Sequence, residues 1–295
     1  MSHPIDGRAT LLAERLAVAL QYLIPKQALT ALAGRFARWQ GGAVTRAVVR
    51  WFVRRYGVNM AEAAEPDIAK YTSFNDFFTR ALEPGARPLA HSSLICPVDG
   101  AISQFGGIAG EQIFQAKGHE FSATALLGGD ASLAAPFHGG HFATLYLSPK
   151  DYHRIHMPCA GRLTRMIHVP GDLFSVNPTT ARGVPGLFAR NERVVCVFEG
   201  EFGPWALVLV GATIVGSMAT VWHGVVNPPR PGNLRQWRYD DRDQRLAKGQ
   251  EMGRFLLGST VVLLFPPGPL QFDAAWAPGR AIRMGQAMAR VERRP

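Results

Sequence analysis

Phe255-Leu256-Leu257-Gly258-Ser259-Thr260, running directly into Val261-Val262-Leu263-Leu264-Phe265, decides how the rest of the chain is read. A Gly-Ser pair ahead of an unbroken apolar run marks a turn leading into a buried strand, here residues 260–265. Residues 143–147, 194–198 and 207–210 are runs of the same kind. With 31 Gly and 21 Pro punctuating such runs, a β-rich core is expected. Residues 205–222 carry no charge, but their glycines, hydroxyl side chains and β-branched residues suit two buried strands with a bend better than a membrane span. Residues 73–80 read as a short capped helix, residues 227–248 as a surface loop and residues 280–295 as a basic tail. The expected class is α+β: a barrel- or sandwich-like single core over residues 61–295, behind an amphipathic, basic helical region over residues 1–60.

The charge is concentrated at the start. Against 32 Lys and Arg and 22 Asp and Glu overall, a formal charge of +10, residues 1–57 hold nine basic and two acidic side chains. Apolar residues there recur at helical spacing: Leu12, Leu16, Ala19, Leu20 and Leu23, then Leu29, Leu32, Ala33 and Phe36, then Val44, Ala47, Val48, Trp51 and Phe52. Pro25 and Gly41-Gly42 break the pattern. Arg46, Arg50, Arg54 and Arg55 flank the third apolar face, which suits a helix lying in the surface of an anionic bilayer. A helical cap packed on the protein's own core is the competing reading. Glu14, Arg15 and Gln21 interrupt the first apolar stretch, so no signal peptide is expected and the protein reads as cytoplasmic and peripheral. Cys96, Cys159 and Cys196, odd in number and without Cys-x-x-Cys spacing, are expected to be reduced and mostly buried.

A Gly-Ser pair is also a place where a chain can cut itself. Lacking a Cβ, glycine can hold strained dihedrals and lets the serine hydroxyl approach its carbonyl. Attack by Ser259 Oγ would move the acyl group from nitrogen to oxygen. Elimination of the ester and hydrolysis would then leave a pyruvoyl group at the new amino terminus. Such a cut needs a base, a group to orient it and donors for the oxyanion. His153 and His156 in Asp151-Tyr152-His153-Arg154-Ile155-His156-Met157-Pro158, and Asp99 in Cys96-Pro97-Val98-Asp99-Gly100, stand where apolar runs end, the usual place for chemistry. Read alone, Asp99 equally suits an Asx turn and the histidines ordinary strand positions. Neither the His153/His156 pair nor His138-Gly139-Gly140-His141 has the helical His-Glu-x-x-His arrangement, and no metal is expected.

Taken together these segments resemble the bacterial type I phosphatidylserine decarboxylases over most of the chain. The resemblance extends through Phe77-Phe78-Thr79-Arg80, Pro84-Gly85-Ala86-Arg87-Pro88, Gln115-Ala116-Lys117-Gly118 and Gly171-Asp172-Leu173-Phe174-Ser175-Val176-Asn177. It continues in Leu187-Phe188-Ala189-Arg190-Asn191-Glu192-Arg193, Val210-Gly211-Ala212-Thr213-Ile214-Val215-Gly216-Ser217-Met218 and Lys248-Gly249-Gln250-Glu251-Met252-Gly253-Arg254. It implies a carboxy-lyase that converts phosphatidylserine to phosphatidylethanolamine and carbon dioxide at the cytoplasmic face of the cell membrane. It also implies a zymogen cut between Gly258 and Ser259 into a β chain, residues 1–258, and an α chain, residues 259–295, which stay together as a heterodimer. The pyruvoyl group made from Ser259 would be the covalent cofactor, an electron sink for the carbanion left by decarboxylation. Carried over residue by residue, the self-cleavage set falls on Asp99, His156 and Ser259, with His156 taking the serine proton and Asp99 holding its ring. His153 and Ser175 match residues associated with decarboxylation, and His153 is the expected proton donor.

Three other readings stay open. An intact Ser-His-Asp hydrolase could use the same side chains, although Ser259 is not in Gly-x-Ser-x-Gly. A decarboxylase of a different phosphoserine lipid fits the same motifs. A non-enzymatic binder of anionic lipid or nucleic acid fits the charge, but the basic residues accompany apolar helical faces rather than interleaved aromatics, so nucleic acid is not expected.

Overall fold

Thr260–Phe265 forms a strand with the predicted bounds and occupies the middle of the main sheet. It pairs antiparallel with His141–Tyr146 on one side and Gly203–Val210 on the other. From edge to edge the sheet runs Arg235–Arg238, Gly161–Val169, Arg193–Gly200, Gly203–Val210, Thr260–Phe265, His141–Tyr146, Gly100–Gly107 and Ala281–Ile282. Arg245–Leu246 also pairs with Gly161–Val169. Alternate side chains of the central strand enter different cores. Val261, Leu263 and Phe265 pack with Leu145, Leu209 and Phe255, whereas Val262 and Leu264 pack with Phe142, Val208 and Phe188. Burial on both faces explains why the sequence there is continuously apolar instead of alternating. Each such side chain contributes up to about 1.5–3 kcal/mol by leaving water.

The computed structural model describes residue 16 and residues 18–292, apart from Lys117, Val215, Gly216, Pro229 and Pro231. Leu12, Glu14, Arg15, those five positions and the end of the basic tail therefore lie outside the described residues. On one face of the main sheet pack a four-stranded sheet, ordered Gly224–Asn227, Met218–Thr220, Glu251–Phe255 and Arg154–His156, and a three-stranded one ordered Leu94–Ile95, Ala287–Val291 and Leu270–Phe272. On the other face pack short helices, among them Ala123–Leu126, Pro178–Gly183 and Leu187–Arg190. The architecture is α+β and layered. No sheet closes into a barrel among the described residues, which removes the barrel option.

Two expectations need correction. The supposed surface loop, residues 227–248, supplies the edge strands Arg235–Arg238 and Arg245–Leu246, and Asn227 at its start is fully buried. The supposed tail, residues 280–295, supplies Ala281–Ile282 and Ala287–Val291, which pair with strands far earlier in the chain. Residues 205–222 do hold two strands, in Gly203–Val210 and Met218–Thr220.

At the start, residues 18–23 are helical, followed by α1 (Lys26–Arg38) and α2 (Ala43–Tyr56), with Pro25 and Gly42 at their N-caps as the breaks predict. Gly57 closes α2 at φ 67°, a left-handed conformation natural to glycine. Helix α3 (Phe74–Phe78) is capped by Ser73, whose hydroxyl accepts from the Asp76 amide. Val49 and Phe52 of α2 pack on Phe77 and Phe78, so Phe52 faces inward, unlike its predicted partners Val44 and Trp51, which are exposed. Leu20, Leu23, Leu29, Leu32, Phe36 and Trp39 are exposed as well. No described helix is long and apolar enough to cross a membrane.

Candidate active site

The chain passes Gly258 and Ser259 as it crosses from the four-stranded sheet into the centre of the main one. Its flanks are pinned. The Leu256 amide donates to Ser217 O at 2.9 Å, and Asn75 Nδ2 donates to Leu256 O at 2.8 Å. On the far side, the Leu147 amide donates to Ser259 O at 2.8 Å. Between these anchors the Gly258-Ser259 peptide borders a cavity of about 280 Å³, shared with Phe78, His153, Ser175 and Asn177. No Asp, Glu, Lys or Arg among the described residues lines it.

His153 meets the peptide directly. A Cβ on Gly258 would stand 1.8 Å from His153 Nε2 and 2.0 Å from Cδ2. Gly258 is not among the positive-φ glycines, so the position needs glycine for room, not for a strained φ. The His153 ring lies 4.1 Å, centroid to centroid, from that of Phe78, and the residue is 1% exposed. Nδ1 lies 2.7 Å from Asp151 O. A carbonyl can only accept, so Nδ1 carries the proton and Nε2 keeps a lone pair. Burial then pushes the pKa down from 6.5 to about 3, the Asp151 contact only partly opposing it. The result is a neutral imidazole whose basic nitrogen has no partner, close to a Ser259 hydroxyl that is likewise buried and unpartnered.

His156 is placed differently. Its Nδ1 lies 2.8 Å from Gly249 O and its Nε2 lies 3.0 Å from Tyr152 Oη. By the same logic Nδ1 donates and Nε2 accepts from the tyrosine, so its lone pair is already used. Burial lowers its pKa too. Asp99 is 7% exposed and held by Arg87, with Nη2 to Oδ2 at 2.6 Å, while the Met284 amide donates to Oδ1 at 2.8 Å. Arg87 also pairs with Glu62 at 2.6 Å, and these carboxylates raise its pKa against the cost of burial. No hydrogen bond joins Asp99, His156 and Ser259. Of the two histidines, the one brought to the Gly258-Ser259 peptide is His153.

A period of two could have signalled this. In extended chain, residues three apart point to opposite faces, so His153, just before strand Arg154–His156, and His156, at its end, cannot both face one serine. Ser175 shares the cavity with Ser259, and its amide donates to Gln21 Oε1 at 2.9 Å, which ties the helical start to the site. Sequence reasoning overlooked Phe78, which packs on the His153 ring, and Asn75, which anchors Leu256. Both lie in the quoted capped-helix region, where only their spacing to residues some 80 to 180 positions away would have revealed them.

The family profile described as phosphatidylserine decarboxylase matches residues 74–290, and one described as PSD matches residues 16–57. The chain is 73% identical over 277 residues to the phosphatidylserine decarboxylase proenzyme of Albidiferax ferrireducens, covering 94% of this chain and 98% of that one. It is 72% identical over 278 residues to the protein of the same name from Methylibium petroleiphilum, with the same coverage of both chains.

Two outcomes follow from the geometry of Gly258 and His153. Gly258→Ala should leave the chain uncut and lower its melting temperature, and adding His153→Ala should restore much of the stability but not the cut. Unchanged melting in Gly258→Ala would contradict the contact. Separately, a histidine held neutral when folded but free to protonate when unfolded contributes stability that is constant above its ordinary pKa of 6.5 and is lost as pH falls toward about 3. Urea unfolding of uncut Ser259→Ala protein should therefore weaken below about pH 6.5, and His153→Phe should flatten that decline.

Proposed function

The chain belongs to the phosphatidylserine decarboxylase family, and from that premise we propose that Ser259 both cuts the Gly258-Ser259 peptide and becomes the pyruvoyl group. The activity is decarboxylation of phosphatidylserine by a protein made as a self-processing proenzyme. One observation carries the assignment of the site. Two buried polar atoms without partners, Ser259 Oγ and His153 Nε2, flank a glycine with no room for a Cβ.

In the uncut chain, neutral His153 accepts the Ser259 proton at Nε2 while Asp151 O keeps the ring in the required tautomer. No charged group has to be created beforehand. A small ketone at residue 259 fits the cavity, whose walls are uncharged and whose nearby polar atoms are unsatisfied. When formed, that group supplies the electron sink for the charge left on the substrate's Cα. His153 is then positioned to hold the proton that Cα receives, and Ser175 offers a hydroxyl from the cavity wall. Uncharged walls also strip water from the substrate carboxylate, which favours its departure as neutral carbon dioxide.

Asp99 and His156 keep a place in the scheme. Asp99 holds Arg87 of the future β chain and the Met284 amide of the future α chain at once. His156 would have to release Tyr152 and turn to the other side of its strand to serve Ser259. We assign both to bracing the site in this state and His153 to the proton transfer. The cut pieces would stay together as an α/β heterodimer, since residues 260–265 are hydrogen-bonded to the β chain on both edges. Exposed Leu29, Leu32, Phe36 and Trp51, beside Arg46, Arg50, Arg54 and Arg55, support docking of α1 and α2 on an anionic membrane from the cytoplasmic side.

Intact-mass analysis separates the histidine roles. Wild-type protein should run as residues 1–258 and 259–295, Ser259→Ala and His153→Ala should stay uncut, and His156→Ala should be cut more slowly but measurably. Complete cutting of His153→Ala alongside an uncut His156→Ala would return the base to His156. For docking, changing Arg46, Arg50, Arg54 and Arg55 to glutamine should weaken binding to phosphatidylserine-rich vesicles by up to about 1 kcal/mol per charge and leave self-cleavage intact. Unchanged vesicle binding would make α2 a structural cap.

A further inference from the structure

A second cavity, of about 230 Å³, adjoins the first, and both include Ile214 and Leu257 in their walls. Its character is different. Arg35 and Arg38 from the last turn of α1 line it together with Arg230, and no Asp or Glu does. Arg230 is already bound to Glu192 at 2.8 Å. Arg35 and Arg38 have no carboxylate partner among the described residues.

Helix α1 is shaped to leave this groove open. Thr30, Ala31 and Gly34 face it, all small. Glycine inside a helix is costly relative to alanine, and at Gly34 an added Cβ would meet only the Arg38 guanidinium, at an ordinary contact distance of 3.5 Å from Nη1. Thr30 fastens the helix by accepting from the Ile214 amide at 3.0 Å. The opposite face of α1 carries the exposed Leu29, Leu32 and Phe36. One element thus offers apolar side chains on one face and, on the other, two exposed arginines that line the groove without a carboxylate partner among the described residues.

The substrate of a phosphatidylserine decarboxylase brings a carboxylate and an amine to Ser259 and, a few bonds away, a phosphodiester. The cavity at Ser259 has no cation for that phosphodiester, whereas the adjoining groove has two with no counter-charge. We propose that Arg35 and Arg38 clamp the headgroup phosphodiester in this groove. The assignment rests on the decarboxylase reading above. Planar guanidinium groups suit it, because they present paired donors to phosphate oxygens. The amine and carboxylate would then lie toward Leu257 and the residue beyond it, which positions the reacting carbon without any charged group at the site of bond breaking.

The test must separate a phosphate clamp from general attraction to a bilayer and from the favourable effect of cations at a helix C-terminus. Dihexanoylphosphatidylserine, kept below its critical micelle concentration, presents the headgroup without a membrane. With mature protein, Arg35→Gln and Arg38→Gln should each raise its KM roughly tenfold, as expected for losing one charge-assisted contact, with kcat changed much less. Arg35→Lys and Arg38→Lys should recover part of the loss. Equilibrium binding of monomeric dihexanoylphosphatidylglycerol, which has the phosphodiester but no amine, should weaken by a similar factor, and cutting at Gly258-Ser259 should be complete in every variant. Unchanged KM and unchanged binding, with only vesicle affinity or melting temperature lowered, would overturn the clamp. Wild-type protein that binds no monomeric dihexanoylphosphatidylglycerol would also overturn the clamp, whereas failure to decarboxylate phosphatidylserine in vesicles would overturn the decarboxylase reading on which it rests.

Discussion

A strand paired on both edges and buried on both faces is what would let this chain be broken immediately beside it, at the proposed Gly258-Ser259 cut. Thr260–Phe265 is held in register by His141–Tyr146 and Gly203–Val210 and contributes to two cores. Each of its hydrogen bonds is worth only about 0.5–1.5 kcal/mol net, but together with five apolar side chains they far exceed what one peptide link contributes locally. Farther along, Ala281–Ile282 pairs with the start of Gly100–Gly107, and Ala287–Val291 pairs with Leu94–Ile95. The proposed cut at Ser259 would therefore free a terminus without freeing a fragment. The anchors at Leu256 O and Ser259 O confine any movement to the two residues between them.

Within that frame desolvation decides which histidine can act. His153 is fully enclosed, and removing a charged imidazolium from water outweighs the favourable contact with Asp151 O, so the ring stays neutral with its lone pair toward the scissile glycine. His156, on the other side of the same extended segment, spends both nitrogens on Gly249 and Tyr152. Asp99 is no free orienting carboxylate either, since Arg87 and the Met284 amide occupy its oxygens. The same enclosed, uncharged space that keeps His153 neutral also disfavours a substrate carboxylate, so the proposed processing and turnover would draw on one environment.

Much of this was legible in the chain and some was not, for definite reasons. The central strand was read to the residue because burial on both faces writes itself as an unbroken apolar run, and the helix starts followed from Pro25 and Gly42. Arg235–Arg238 went unread because an edge strand alternates between half-buried and exposed residues and carries two arginines. Ala281–Ile282 and Ala287–Val291 were mistaken for a tail because their order comes from partners nearly 200 residues earlier. At the site, Gly258, Ser259, His153 and Asp99 could be picked out by type and neighbours. That Asp99 would be claimed by Arg87 and Met284, 185 positions from the latter, was not written in any local pattern. The glycine was noticed for its backbone freedom, whereas what it provides is space for an imidazole.

The helical start is built into the same site. Gln21 accepts from the Ser175 amide, Tyr22 packs against Phe174 with ring centroids 4.8 Å apart, and Leu257 rests on the cluster formed by α2 and α3. The exposed apolar face of α1 is thus tied by these contacts to the bond proposed to be cut. The central claim, that the first residue of the 259–295 piece becomes the group that engages the lipid, can be tested by reductive trapping. Mature protein treated with sodium cyanoborohydride in the presence of phosphatidylserine should carry the lipid amine covalently at the first residue of that piece, as read by mass spectrometry of the small chain. An adduct on a lysine instead, or none on the small chain of actively decarboxylating protein, would contradict the account.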